Sequence, residues 1–506
     1  MTPLRRLLTV LLLGIAGITL QGGCLTTAGS NGGGQIASAP VRYVNPRDIW
    51  LPPGYKIEAV VEGLTFPTGV TFDDRGRVYV VEAGYSYGEL WTTPRLLRVV
   101  ANGVIDVVAK GDNGPWNGVT FSDGNFYVAE GGEMRGGRIL KINPDGSIIP
   151  LIEDLPSYGD HHTNGPVIGP DGYLYFGQGT ATNSGVVGTD NFKAGWLKRR
   201  PQFHDIPAQD VVLTGANFQT SNPLRTSRPT HWYEKWFPEW FGTQNMAVTG
   251  AYVPFGTRTR PGQVIRGQLP CTGAIMRLPL SGGPVELVAW GLRNPYGLAF
   301  TPDGRLFATE NQFDVRGSRP VFGTGDLLWE IKPGQWYGWP DYFAGELVSD
   351  ANRFGAPSRN APTLLLARHP GVPPRPVAKF GVHASADGFD FCRDHNFAQV
   401  GDAFVAEFGD MAPQTGKVEA PVGYRVSRVD LPGGAIHPFA VNRGKEDAPA
   451  SRLGTGGFER PIAARFDPTG RALYVVDFGQ MLVGPNGEKP VENTGVLWKI
   501  TREESR

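Results

Sequence analysis

Cysteine is scarce in this chain of 506 residues: three residues, Cys24, Cys271 and Cys392. No Cys-x-x-Cys-His occurs, so a covalently attached c-type haem has no attachment point, and no disulfide framework can carry the fold. Cys271 and Cys392 leave two readings open, one bridge in an oxidising compartment or two buried thiols. Histidine is also sparse, with eight residues, and neither His-x-x-His nor His-Glu-x-x-His is present. The spacing that zinc or iron sites favour is therefore missing. Charge of one sign is not in excess: 48 basic and 48 acidic residues cancel. That balance excludes the basic footprint of a nucleic-acid binder and suits a small or neutral partner. Helical runs with an apolar stripe are rare after the N-terminus.

What the chain does have is glycine, 70 residues, and proline, 43, punctuating short apolar runs. This is the texture of many short strands joined by turns. One unit recurs: a glycine-led strand, a turn of Pro-Asp-Gly type, and a second strand ending in an acid or amide. Copies run from Gly69 to Glu82, Gly118 to Glu130, Gly165 to Gln178 and Gly297 to Glu310. A looser copy runs from Gly388 to Glu407, and the last from Ile462 to Asp477. Each reads as a β-hairpin. Third strands are expected at 96–100, 138–142, 274–278, 328–331, 424–429 and 496–500, and fourth strands follow most of them. The sixth repeat lacks a fourth strand, and an orphan strand at 55–61 precedes the first hairpin. Pairing the two closes a ring without open edges. The expectation is an all-β, six-bladed propeller over residues 51–506, with a long insertion at about 185–270.

Ahead of the repeats, Arg5 and Arg6 precede an apolar run from Leu7 to Leu20 and then Gly22-Gly23-Cys24. This is the pattern of an export signal over residues 1–23, shorter than a typical membrane span. Its Gly-Gly-Cys ending resembles a bacterial lipoprotein signal, which would lipidate Cys24 and give the chain its one membrane contact. Residues 24–50 read as a flexible tether, and the expected location is the periplasm or cell envelope.

Strand alternation sends the segment entering each first strand and the one leaving each second strand to the same face. The long insertions leave from second strands too, which marks that face as functional. It carries Asp160, His161, His162, Asn164, Asn183, Arg293, Asn294, Glu310, Asn311, His383, Glu407 and Arg460. A neutral imidazole is a good proton acceptor from a hydroxyl, and His161 and His162 are adjacent here. Oxygen ligands from 310–314, carbonyls included, would suit calcium. Arg293 and Arg460 could hold an anion or make inter-blade salt bridges. The aromatic run 231–241 reads as a lid or as a self-packed loop.

Gly291-Leu-Arg-Asn-Pro-Tyr-Gly-Leu-Ala-Phe-Thr-Pro-Asp-Gly304, Gly334-Gln-Trp-Tyr-Gly-Trp-Pro340 and Asp160-His-His-Thr-Asn-Gly165 resemble segments of the glucose/sorbosone dehydrogenase family. The resemblance covers most of residues 51–500. It implies a six-bladed propeller that uses pyrroloquinoline quinone (PQQ) and calcium to oxidise an aldose or a hydrated aldehyde. It implies His161 as the base that takes the hydroxyl proton, and Arg293 as the group that stabilises charge on the reducing quinone. Asn294 and Asn311 would bond the cofactor, Arg460 would meet one of its carboxylates, and the carbonyls of Gln312 and Phe313 would ligate calcium. An electron-acceptor protein or quinone would follow. This chain departs from the pattern at Thr180, where the best-studied members carry Asp, and at Ile462, where a second Arg is usual. Gly409 falls near the family's cofactor-binding Lys. With fewer cations, a weaker grip on a tricarboxylate is expected. Two rival readings are a calcium-dependent lactonase, with Glu82, Glu130, Glu310, Glu407 and Asp477 converging on an ion, and a non-catalytic envelope propeller.

Overall fold

The computed structural model describes residues 38–503, except 87–89, 101–102, 133, 226–245, 356–359, 413, 417, 419 and 485–486, together with 32, 34 and 36. The export signal, Cys24 and the aromatic run 231–241 lie outside the described residues.

Six antiparallel sheets, each of four consecutive blade strands, make up the body. Blade 1 is Pro67–Phe72, Val78–Glu82, Arg95–Val99 and Ile105–Lys110. Blade 2 is Trp116–Ser122, Asn125–Glu130, Gly137–Ile142 and Ile148–Leu155. Blade 3 is Thr163–Ile168, Tyr173–Gln178, Ala274–Pro279 and Glu286–Trp290, and blade 4 is Asn294–Phe300, Leu306–Asn311, Gly325–Glu330 and Ala378–Val382. Blade 5 is Ala386–Phe391, Ala403–Glu407, Arg425–Asp430 and Ala435–Asn442. Blade 6 is Pro461–Phe466, Ala472–Asp477 and Gly495–Arg502, completed by Tyr55–Leu64. That last pairing runs antiparallel from Tyr55 opposite Arg502 to Leu64 opposite Gly495, so the expected closure is formed. First strands of successive blades touch in circular order, with blade 6 against blade 1.

Blades stack face to face, so the inner strands bury both faces and read as continuous apolar runs, as in Leu473–Val476. The outer strand Tyr55–Leu64 alternates because one of its faces meets water. The glycine that leads five of the six repeats has a reason near the axis. A Cβ on Gly118 would lie 2.0 Å from the Gly165 carbonyl oxygen, and one on Gly297 would lie 2.4 Å from that of Asp387. Only glycine lets neighbouring first strands approach this closely.

One expectation changes, and one open reading is settled. Residues 24–50 are not a free tether throughout. Pro46–Asp48 forms a 3-10 turn, Ile49–Trp50 adds a fifth strand to blade 5, and Arg42 is buried against Glu459 and Asp477, both at 3.1 Å. The thiols of Cys271 and Cys392 are both free and buried, so the bridge does not form.

Candidate active site

The entering and leaving loops of blade 3 are laced together by their main chains. Asp160 N donates to Ala181 O at 3.0 Å, His161 N to Thr180 O at 3.1 Å, and Gly179 N to His162 O at 3.0 Å. A Cβ on Gly179 would lie 2.2 Å from the His161 Cβ, so this approach also requires glycine. The insertion braces the pair: Asp205 accepts from Ala181 N at 2.7 Å and from Thr272 Oγ1 at 3.1 Å. Burial pushes that carboxyl up to about 6.

His161 is thereby fixed in place. Its Nδ1 lies 3.1 Å from both Thr180 O and Thr180 Oγ1. A carbonyl oxygen can only accept, so Nδ1 carries the proton and Nε2 presents a lone pair. Burial, reinforced by the Arg293 and Arg316 guanidiniums, holds the imidazole well below the ordinary histidine range and therefore neutral. Nε2 lies 3.9 Å from Asp160 Oδ2 and accepts no hydrogen bond from the described residues.

Arg293 comes to the same place from blade 4. Its Nη2 donates to Asp314 Oδ2 at 2.7 Å and to Asn183 Oδ1 at 2.9 Å, while Nη1 reaches Asn311 O at 3.1 Å. Asn294 and Asn311 belong to a belt of amides around the channel mouth. Asn164 donates to Asn294 at 2.8 Å, Asn294 to Asn311 at 2.8 Å, and Asn311 to Asp387 at 3.1 Å. Burial raises the pKa of Asp387 well above its ordinary value. His383 has its Nδ1 3.7 Å from Asp314 Oδ1 and a buried Nε2 without a hydrogen-bond partner among the described residues. Burial lowers its pKa, against the pull of Asp314.

The remaining expected residues are placed differently. Phe313 O accepts from Thr324 Oγ1 at 2.8 Å, and Gln312 N donates to Asp326 Oδ1 at 3.0 Å. Among the described residues no cluster of three or more His, Cys, Asp or Glu is arranged for a metal ion. Arg460 does not join the cluster around His161. It is fully buried, its Nη1 bonds the carbonyls of Phe408, Gly409 and Asp410 at 3.4, 3.1 and 3.3 Å, and it stacks near the Phe408 and Tyr424 rings. Gly34 lies against it, since a Cβ there would come 2.5 Å from its Nη2. Ile462 packs into the apolar core between blades 6 and 1.

Acids at the ends of second strands each accept hydrogen bonds from near their own blade, and Asp477 also pairs with Arg42. Glu310 accepts from Arg293 N and from Trp329 Nε1, both at 2.5 Å, and burial pushes it up to about 7. Asp477 accepts from Arg460 N at 2.7 Å, Glu82 from Thr65 N at 2.7 Å, and Glu130 from Trp116 Nε1 at 3.0 Å. Glu407 accepts from Arg425 Nε at 3.1 Å. These bonds pin entering loops and third strands.

Sequence patterns missed one residue. Arg316, from the loop leaving the second strand of blade 4, donates from Nη2 to Asp160 Oδ2 at 2.5 Å and to Asp314 Oδ2 at 2.8 Å. Its Nη1 reaches Asp190 Oδ2 at 2.9 Å. It lies in an insertion outside every repeat, so no periodic signal marks it.

No model of a protein family and no curated protein matches the sequence. Solved structures do. The holo form of the pyranose dehydrogenase PQQ domain from Coprinopsis cinerea is 17% identical, with 92% of this chain and 98% of that chain covered and a TM-score of 0.50. The calcium structure of a Trichoderma reesei carbohydrate-active enzyme of family AA12 is 16% identical, with 91% and 98% covered and a TM-score of 0.50. At these identities the likeness establishes the fold. It agrees with the propeller that the resemblance implied.

Proposed function

We propose that this chain is an oxidoreductase acting at the C1 hydroxyl of an aldose or a hydrated sugar aldehyde, dependent on PQQ and calcium, with electrons passing to a respiratory or dye acceptor. The observation that carries the reading is a neutral His161 whose Nε2 lone pair is open while Nδ1 is tied to Thr180. A base in this state can take a hydroxyl proton near neutral pH, which contributes about 10² to 10⁴ in rate. The imidazolium so formed has the Asp160 carboxylate 3.9 Å away to balance it. Arg293, already oriented by Asn183 and Asp314, is placed to stabilise negative charge that develops beside it.

The donor set around Asn294, Asn311 and Arg293 suits the carbonyl end of an orthoquinone, with the Gln312 and Phe313 carbonyls on calcium; the bound pair would supply the hydride acceptor and Lewis acid that these side chains lack. The acid end of the quinone is served less well, since Arg460 is committed to three carbonyls and Ile462 brings no charge. A weaker grip on the cofactor than a site with free cations would have is part of this reading. So are an export signal at 1–23 and a lipid anchor at Cys24, which would put the enzyme in the cell envelope.

The test is dye reduction by the purified protein with PQQ and calcium, across a panel of sugars and aldehydes. Turnover only when both are added is expected, with His161→Ala lowering it at least about a hundredfold. No quinone-dependent turnover with any substrate, or hydrolysis of a lactone in its place, would overturn the proposal.

A further inference from the structure

Three carboxylates from three separate loops meet one guanidinium beside His161. Asp160 belongs to the loop entering blade 3, Asp190 to the short helix Thr189–Lys193 of the insertion, and Asp314 to the loop leaving the second strand of blade 4. Arg316 bonds all three, at 2.5, 2.9 and 2.8 Å. Its neighbour Gly317 permits the approach, because a Cβ there would come 2.7 Å from Asp190 Oδ2.

The oxygen that Arg316 holds is the one that matters to the base. Asp160 Oδ2 is 2.5 Å from Arg316 Nη2 but 3.9 Å from both His161 Nε2 and Arg293 Nη2. A carboxylate at hydrogen-bond distance from an imidazole stabilises the protonated ring and would fill Nε2 as a donor. We propose that Arg316 is a positioning residue for His161: it captures the Asp160 carboxylate, keeps it from pairing with the ring, and so leaves Nε2 open as a proton acceptor. The other charged groups that act on the ring are Arg293 from blade 4 and Asp314 from the loop that carries Arg316. Arg293 cannot take over, because Asp314 and Asn183 already fix its Nη2. The clamp stands on its own geometry; only the destination of the proton rests on the function proposed above.

The experiment follows the His161 imidazole by NMR in the full chain with no cofactor added, and His161→Gln assigns its signal. In Arg316→Gln the titration midpoint should rise by about one unit or more as Asp160 turns to the ring. Arg316→Lys should give an intermediate midpoint, since an ammonium is a point charge without the planar fork. Adding Asp160→Asn to Arg316→Gln should cancel the rise, the non-additivity expected of residues in one network. An unchanged midpoint in a folded Arg316→Gln protein, or a rise that survives Asp160→Asn, would overturn the proposal. If Arg316→Gln does not fold, Arg316→Lys decides, and an unmoved midpoint there overturns it as well. None of these readings requires turnover, so a failed dehydrogenase assay leaves the outcome legible.

Discussion

His161 was legible as a candidate because two adjacent histidines in an entering loop are unusual among only eight. What makes it a base was not legible. Its tautomer is set by Thr180, which sequence reasoning counted only as a departure from the family pattern, and its neutrality by burial with two guanidiniums nearby. The folded pKa is depressed, so the ring accepts protons only well below 6.5, and the acid limb of kcat/KM should fall below that value. Thr180→Asp would restore the family residue and place a carboxylate at Nδ1. The expected outcome is an acid limb moved upward by about one unit or more, read from the pH profile of the loaded enzyme. A limb that stays put would mean that the introduced carboxylate does not face the ring. Buried neutrality also bears on stability. The His161 contribution is present above the unfolded value near 6.5 and is lost as pH falls from there, because the unfolded chain then binds the proton and the folded chain does not.

The hairpins and third strands lie close to their expected places because alternation and turn residues are local signals. Val496–Ile500 was expected and Gly495–Arg502 is found, the extra residues being those that meet the full length of Tyr55–Leu64. The N-terminal segment could not be read in this way. Its polar, glycine-rich composition describes a tether, yet Arg42 finds two acids more than 400 positions away in sequence, and Gly34 lies against Arg460. Glu459 is raised by burial, with Arg42 as its main opposing charge. Arg42→Ala should therefore destabilise the protein by about 3 kcal/mol, the cost of leaving buried carboxylates short of a cation. A urea denaturation midpoint measures it, and a change within about 0.5 kcal/mol would mark the pairs as superficial.

Ring closure is a property of the whole molecule. Blade 6 takes its outer strand from the other end of the chain, so this blade cannot be completed before the two ends meet. Starting the chain at Pro67 removes Tyr55–Leu64, bares the edge of Gly495–Arg502 and exposes the core formed with Val61 and Leu64. The expected outcome is loss of cooperative thermal unfolding together with aggregation, checked by circular dichroism and size-exclusion chromatography. The sequence by itself determined the repeat, the number of blades, the strand that closes the ring and the face on which the loops gather. All of these follow from period-two patterning and turn chemistry, which act over a few residues. Only the tertiary structure decided which polar side chains share a site. It brought Arg316 to Asp160 and His161, set Arg460 against the carbonyls of 408–410, and paired Asp477 with Arg42 from the far end of the chain. Such choices depend on contacts between loops far apart in sequence, where burial decides which charges are neutralised and by which partner.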